Sequence, residues 1–162
     1  MAALALAIDH SLSILKEENI SGGYIQFGKQ RLIFGSINPP EVNSKLVIPI
    51  SSDNDKELLL TLHNNALCRY ISNTSSMRTA MQPQTFIEPI NRTFSPYVIG
   101  PNTAFATGLA TVFSQYTPQQ AIQQTNKISG YTLIIVSKSG KTQVSKLAEK
   151  IMIIPKSQQT SK

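Results

Sequence analysis

Leu4, Ile8, Leu12 and Leu15 recur every three to four residues at the start of the chain. That period places them on one face of a helix over 2–18, and Ser21-Gly22-Gly23 stops it. The pattern then changes. YIQFGKQRLIFGSI, residues 24–37, holds two short β-rich runs around Gly28-Lys29-Gln30-Arg31, which predicts a hairpin. Asn38-Pro39-Pro40 ends it. KLVIPI (45–50) is a further strand, and Pro49 confines it to an edge or a strand end. Residues 52–72 read as the clearest long helix. SSDND supplies an N-cap and first-turn acids, and Leu59, Leu62, His63, Ala66, Leu67 and Tyr70 form one apolar stripe.

Residues 73–84 are a loop by composition. TFIEPI (85–90) and PYVIG (96–100) are short strands, each marked by proline. Phe105, Leu109, Val112 and Phe113 fit a helix over 103–115, although Thr107, Leu109, Thr111 and Phe113 also alternate. Thr117-Pro118-Gln119-Gln120 is a helix start: Thr117 as N-cap, Pro118 at the first helical position, Gln120 completing a capping box. Ser129-Gly130 stops that helix. YTLIIVS is then a central strand, apolar on both faces, and IMIIP (151–155) is another. The elements intermix irregularly, with no internal repeat and no linker. The expected fold is therefore α+β: one domain over 1–155, a mixed or antiparallel sheet and three to four helices, with 156–162 as a flexible basic tail.

The composition agrees with one globular domain. The chain has 162 residues, of which 41% are hydrophobic and only 15% charged. The start, MAALALAIDHSLSIL, lacks a basic leader region, and Asp9 and His10 cut its apolar run, so it reads as a helix. No apolar run approaches the ~18 residues of a membrane span. An intracellular, cytoplasmic or virion location follows as the expectation. The single cysteine, Cys68, allows no internal disulfide and reads as a small buried apolar residue.

Charge alters the picture most. Residues 1–126 balance, whereas the remainder carries Lys127, Lys138, Lys141, Lys146, Lys150, Lys156 and Lys162 against Glu149 alone. The whole net charge of +6 lies there. Such asymmetry points toward a polyanion.

The chemical motifs are sparse. Gly140-Lys141-Thr142 follows a β-branched run and suggests a phosphate loop. The pattern G-x-x-x-x-G-K-[ST] needs a glycine where Ile135 stands, and only Glu149 follows as an acid, so a nucleotide-hydrolysing loop is excluded. Lys138-Ser139-Gly140-Lys141 reads instead as a hairpin turn, with a strand–loop–helix as competitor. His63 and Cys68, five residues apart, share no helix face and make no catalytic pair. Two histidines and scattered carboxylates nominate no metal site, and no cofactor is expected.

The sequence thus points to a non-enzymatic structural or assembly protein, of small viral capsid or nucleocapsid type. It would be homo-oligomeric and contact the RNA or DNA backbone. The candidate contacts are Lys127, Lys138, Lys141, Lys146, Lys150 and Lys156, with Lys29 and Arg31 beside Tyr24, Phe27 and Phe34 as a second surface. The alternative is a protein-interaction module, a viral accessory factor or effector, with no nucleic-acid role.

Overall fold

A computed structural model describes residues 2–27, 30–35, 45–49, 57–62, 64–69, 94–137, 139 and 141–153. Its elements are, in order, α1 (Ala2–Glu17), β1 (Gly22–Phe27), β2 (Gln30–Gly35), β3 (Lys45–Pro49), β4 (Glu57–Thr61), β5 (Asn65–Arg69), β6 (Phe94–Gly100), α2 (Thr103–Phe113), α3 (Pro118–Thr125), β7 (Thr132–Ser137), β8 (Thr142–Val144) and β9 (Met152–Ile153), with a single 3-10 turn at Ala148–Lys150.

Six strands form one sheet in the order β1-β2-β5-β6-β7-β8, and three form a second in the order β3-β4-β9. Every pairing is antiparallel. This is the α+β arrangement that the irregular order of elements predicted. Alternation along the inner strands sorts side chains to two faces. Leu32, Ala66, Cys68, Val98, Leu133 and Ile135 face the helices, meeting Ile8, Ala106, Ala110, Phe113 and Ala121. Ile33, Leu67, Tyr97, Ile99, Ile134 and Val136 face the other way, onto Leu60, Leu62 and Ala148. The main sheet is therefore buried on both sides, with helices on one and the small sheet on the other. Among the described residues, no helix is long and apolar enough to cross a membrane.

The predicted capping box is present. Gln120 N donates to Thr117 Oγ1 at 3.3 Å, and Thr117 N donates back to Gln120 Oε1 at 3.0 Å. The 138–141 turn joins β7 to β8 as a hairpin, closed where Ser137 N donates to Lys141 O at 2.9 Å. Only the short 3-10 turn follows, in place of the competing helix. Pro96 sits inside β6, which is flanked on both sides. It faces Ile135 across the β6–β7 ladder.

The long helix expected over 52–72 is wrong in its described part. Those residues form β4 and β5, with the chain reversing between them. The apolar run is dense enough to satisfy both periods, and tertiary pairing decides between them: β4 lies between β3 and β9, and β5 between β2 and β6. Asn64 makes the reversal possible. It adopts φ 52, a left-handed conformation that asparagine tolerates. Its side chain then accepts a bond from Gly35 N at 2.6 Å, tying the turn to the end of β2. His63, Tyr70, the predicted loop at 73–84, the strand at 85–90 and the tail at 156–162 lie outside the described residues.

Candidate functional site

Polar groups gather where β6 hands over to α2. Every helix begins with N–H groups that have no partner inside the helix. Here the chain supplies oxygens for the first three. Thr103 N donates to Asp9 Oδ1 at 2.9 Å and Ala104 N to Asp9 Oδ2 at 2.8 Å. Phe105 N donates to Asn102 Oδ1 at 2.7 Å. The carboxylate from α1 thus sits at the positive end of the α2 dipole. α1 packs directly on α2, with Ile8 in the shared core, and this delivers Asp9 to its place.

Below this cap lie two hydroxyls one helical turn apart. Thr103 and Thr107 are 0% and 5% exposed, and Thr103 Oγ1 has no hydrogen-bond partner. The Cys68 thiol approaches from β5, its sulfur 3.5 Å from the Thr103 carbonyl oxygen. Burial pushes that thiol up to about 11; the adjacent Thr107 hydroxyl restrains the rise and the Asp9 charge adds to it. Cys68 is therefore a protonated thiol at neutral pH and not a nucleophile.

Tyr131 closes the cluster. Its ring lies against Gly100, where a Cβ would come within 2.2 Å of the ring carbons, so only glycine fits. Its centroid is 5.0 Å from that of Phe105. Burial raises the phenol, and the Asn102 backbone holds the rise back. The cluster brings a carboxylate, a phenol and two buried hydroxyls together at the head of α2. Among the described residues, no group of three or more His, Cys, Asp or Glu is placed to hold a metal.

The residues named from charge lie elsewhere. Lys127 follows α3, Lys141 ends the β7–β8 turn, Lys146 follows β8, and Lys150 is in the 3-10 turn; all four are exposed. Lys146 N donates to Asn126 Oδ1 at 3.2 Å, which brings Lys127 and Lys146 to one neighbourhood. Arg31 is half-buried on β2, with three strands between it and β8. The two proposed surfaces are thus separate. Lys29, Lys138 and Lys156 lie outside the described residues. Sequence reasoning missed the α2 cluster because Asp9 and Thr103 stand 94 residues apart and match no motif.

No family model matches the chain, and no curated protein matches it. Among solved structures, the fold is similar to the flavin transferase ApbE from Vibrio cholerae, with a TM-score of 0.69 and 15% identity over 91% of this chain and 50% of that one. It is also similar to the apo form of the flavinyl transferase ApbE from Pseudomonas stutzeri, with a TM-score of 0.66 and 16% identity over 92% of this chain and 47% of that one. The chain spans about half the length of these proteins, and at such identity the likeness is one of fold.

That likeness corrects the functional expectation. The neighbours are enzymes, and neither is a capsid, a nucleocapsid or a nucleic-acid-binding protein. The non-enzymatic reading is withdrawn, together with its RNA or DNA partner, its oligomeric assembly, its virion location and the rival interaction module. Net charge is a property of surface loops, and here its described lysines occupy exposed turns outside the packed layers. It therefore carried no information about the fold that the neighbours share.

Proposed function

We propose that this chain is a flavin-transferase-type unit, part or all of an enzyme that acts on a flavin. The supporting observation is the fold match across nine-tenths of the chain to two flavin transferases. The polar cluster of Asp9, Asn102, Thr103, Thr107 and Tyr131 is its candidate site in this reading. It combines a fixed charge with buried hydroxyls at the end of a rigid sheet. An intracellular location goes with the proposal, since the lone thiol requires no oxidising compartment.

The test uses the full chain with FMN, FAD and an added acceptor protein. Flavin fluorescence should change on binding, and flavin should stay attached to protein through a denaturing gel. Asp9→Asn keeps one cap acceptor and should reduce binding or transfer more than it reduces stability. If neither flavin binds and no label survives denaturation, the proposal fails.

A further inference from the structure

We propose that Arg31, Arg69, Ser95 and Tyr97 form a binding site for a phosphate group, on the sheet face opposite the helices. The register places them together. Arg31 pairs with Leu67 on β5, and Arg69 is two residues further along that strand, so both side chains leave the same face. Diagonal neighbours of this kind have Cα atoms roughly 7–8 Å apart, within reach of two long side chains and one small anion. Arg69 pairs directly with Tyr97 on β6, and Ser95 follows on the same face.

The contacts hold Arg69 in place without neutralising it. Its Nη2 donates to Ser95 Oγ at 3.0 Å, and its guanidinium carbon lies 5.2 Å from the Tyr97 ring centroid. Both partners are uncharged. Among the described residues, no carboxylate bonds to either guanidinium. Arg31 and Arg69 are each half-buried, so two like charges stand side by side with reduced hydration. Charges in that position are ordinarily paired, because desolvation is costly and mutual repulsion adds to it. An anion between them relieves both costs.

The electrostatics of Tyr97 agree with this geometry. Burial raises its phenol, and Arg69 and then Arg31 pull it back, so both cations act on one hydroxyl. Four groups on three adjacent strands are thus neighbours on one face: two guanidiniums, a phenol and a serine hydroxyl. Planar guanidinium forks match the oxygen edges of phosphate, and several donors from different directions suit a tetrahedral oxyanion better than a flat carboxylate. The position is distinct from the α2 cluster, which lies on the opposite, helix-covered face of the sheet. The inference does not depend on the flavin reading.

The experiment titrates inorganic phosphate into the full chain. Binding is followed by tyrosine fluorescence and by the thermal midpoint, with sodium chloride at matched ionic strength as control. Phosphate should raise the midpoint where chloride does not. Arg31→Gln should weaken phosphate binding about tenfold, the loss expected for one charge-assisted hydrogen bond. Arg69→Lys keeps the charge but loses the fork, and should weaken it comparably. The Arg31 side chain has no hydrogen bond among the described residues, so Arg31→Gln keeps the test valid even if Arg69 variants unfold. Equal effects of phosphate and chloride, or unchanged affinity in Arg31→Gln, would overturn the proposal. Competition by FMN but not by riboflavin would assign the phosphate to a flavin nucleotide. Phosphate binding without that competition would assign it to another phosphate-bearing ligand. Both outcomes uphold the site, and phosphate binding with no flavin transfer would separate it from the functional proposal.

Discussion

Gly100 shows how one atom can decide a local structure. A methyl group there meets the Tyr131 ring at 2.2 Å, with β6 fixed in two ladders behind it. Gly100→Ala should cost about 1–3 kcal/mol in urea unfolding. Pairing it with Tyr131→Leu should recover much of that loss, and simple additivity would show that the contact is not the cause. Cys68 makes a pH prediction. Its thiol rises from 9.0 to about 11, so the folded state retains the proton longer than the unfolded chain. Below pH 9 both states are protonated and the contribution is complete. As pH rises toward 11 the unfolded chain releases its proton first, and stability falls by about 2–3 kcal/mol. Tyr97 and Tyr131, both raised above 10.0, act in the same direction at higher pH. Unfolding free energies at pH 8 and 10.5 should therefore differ less in Cys68→Ala than in the parent. The Thr103 hydroxyl gives the opposite kind of test. It is buried without a partner, so Thr103→Val should be neutral or stabilising by about 1 kcal/mol. A clear destabilisation would mean that the hydroxyl is satisfied in solution.

Among the elements, α1, α2 and α3 were legible, whereas the described part of the helix expected over 52–72 forms β4 and β5. The α1 stripe and the α3 capping box rest on interactions within four residues, which spacing reveals. Thr117→Ala should cost about 1 kcal/mol by thermal or urea unfolding, as an ordinary N-cap does. The α2 cap is another matter. Asn102 is visible as a local cap, but Asp9 arrives from a different helix. Asp9→Ala leaves two N–H groups unpaired and should cost more than Thr117→Ala, whereas Asp9→Asn should lie between Asp9→Ala and the parent. The strands β4 and β5 were misread because Leu58, Leu59, Leu60 and Leu62 satisfy a helical stripe and an alternating pattern alike. Their partners β2, β3, β6 and β9 come from four other parts of the chain, and no local window contains them.

For the whole molecule, one sheet separates two cores. Leu133 and Ile134 are adjacent in β7, fully buried, and belong to opposite cores. Leu133→Ala and Ile134→Ala should each cost about 2–5 kcal/mol. Because they share one strand, both should shift a single cooperative transition. Two separated transitions would contradict a single domain over 1–155.

Period, capping and composition dictated α1, α2, α3, the hairpins and the α+β class, because each depends on neighbours a few residues away; the same signals misread 52–72. They also placed the net charge in the last 36 residues. The meaning of that charge was not theirs to supply. Asp9 at the head of α2, Tyr131 over Gly100, and Arg31 beside Arg69 are juxtapositions between distant segments, made by strand pairing and helix packing. Chemistry at a site depends on such distances, and only the folded chain defines them.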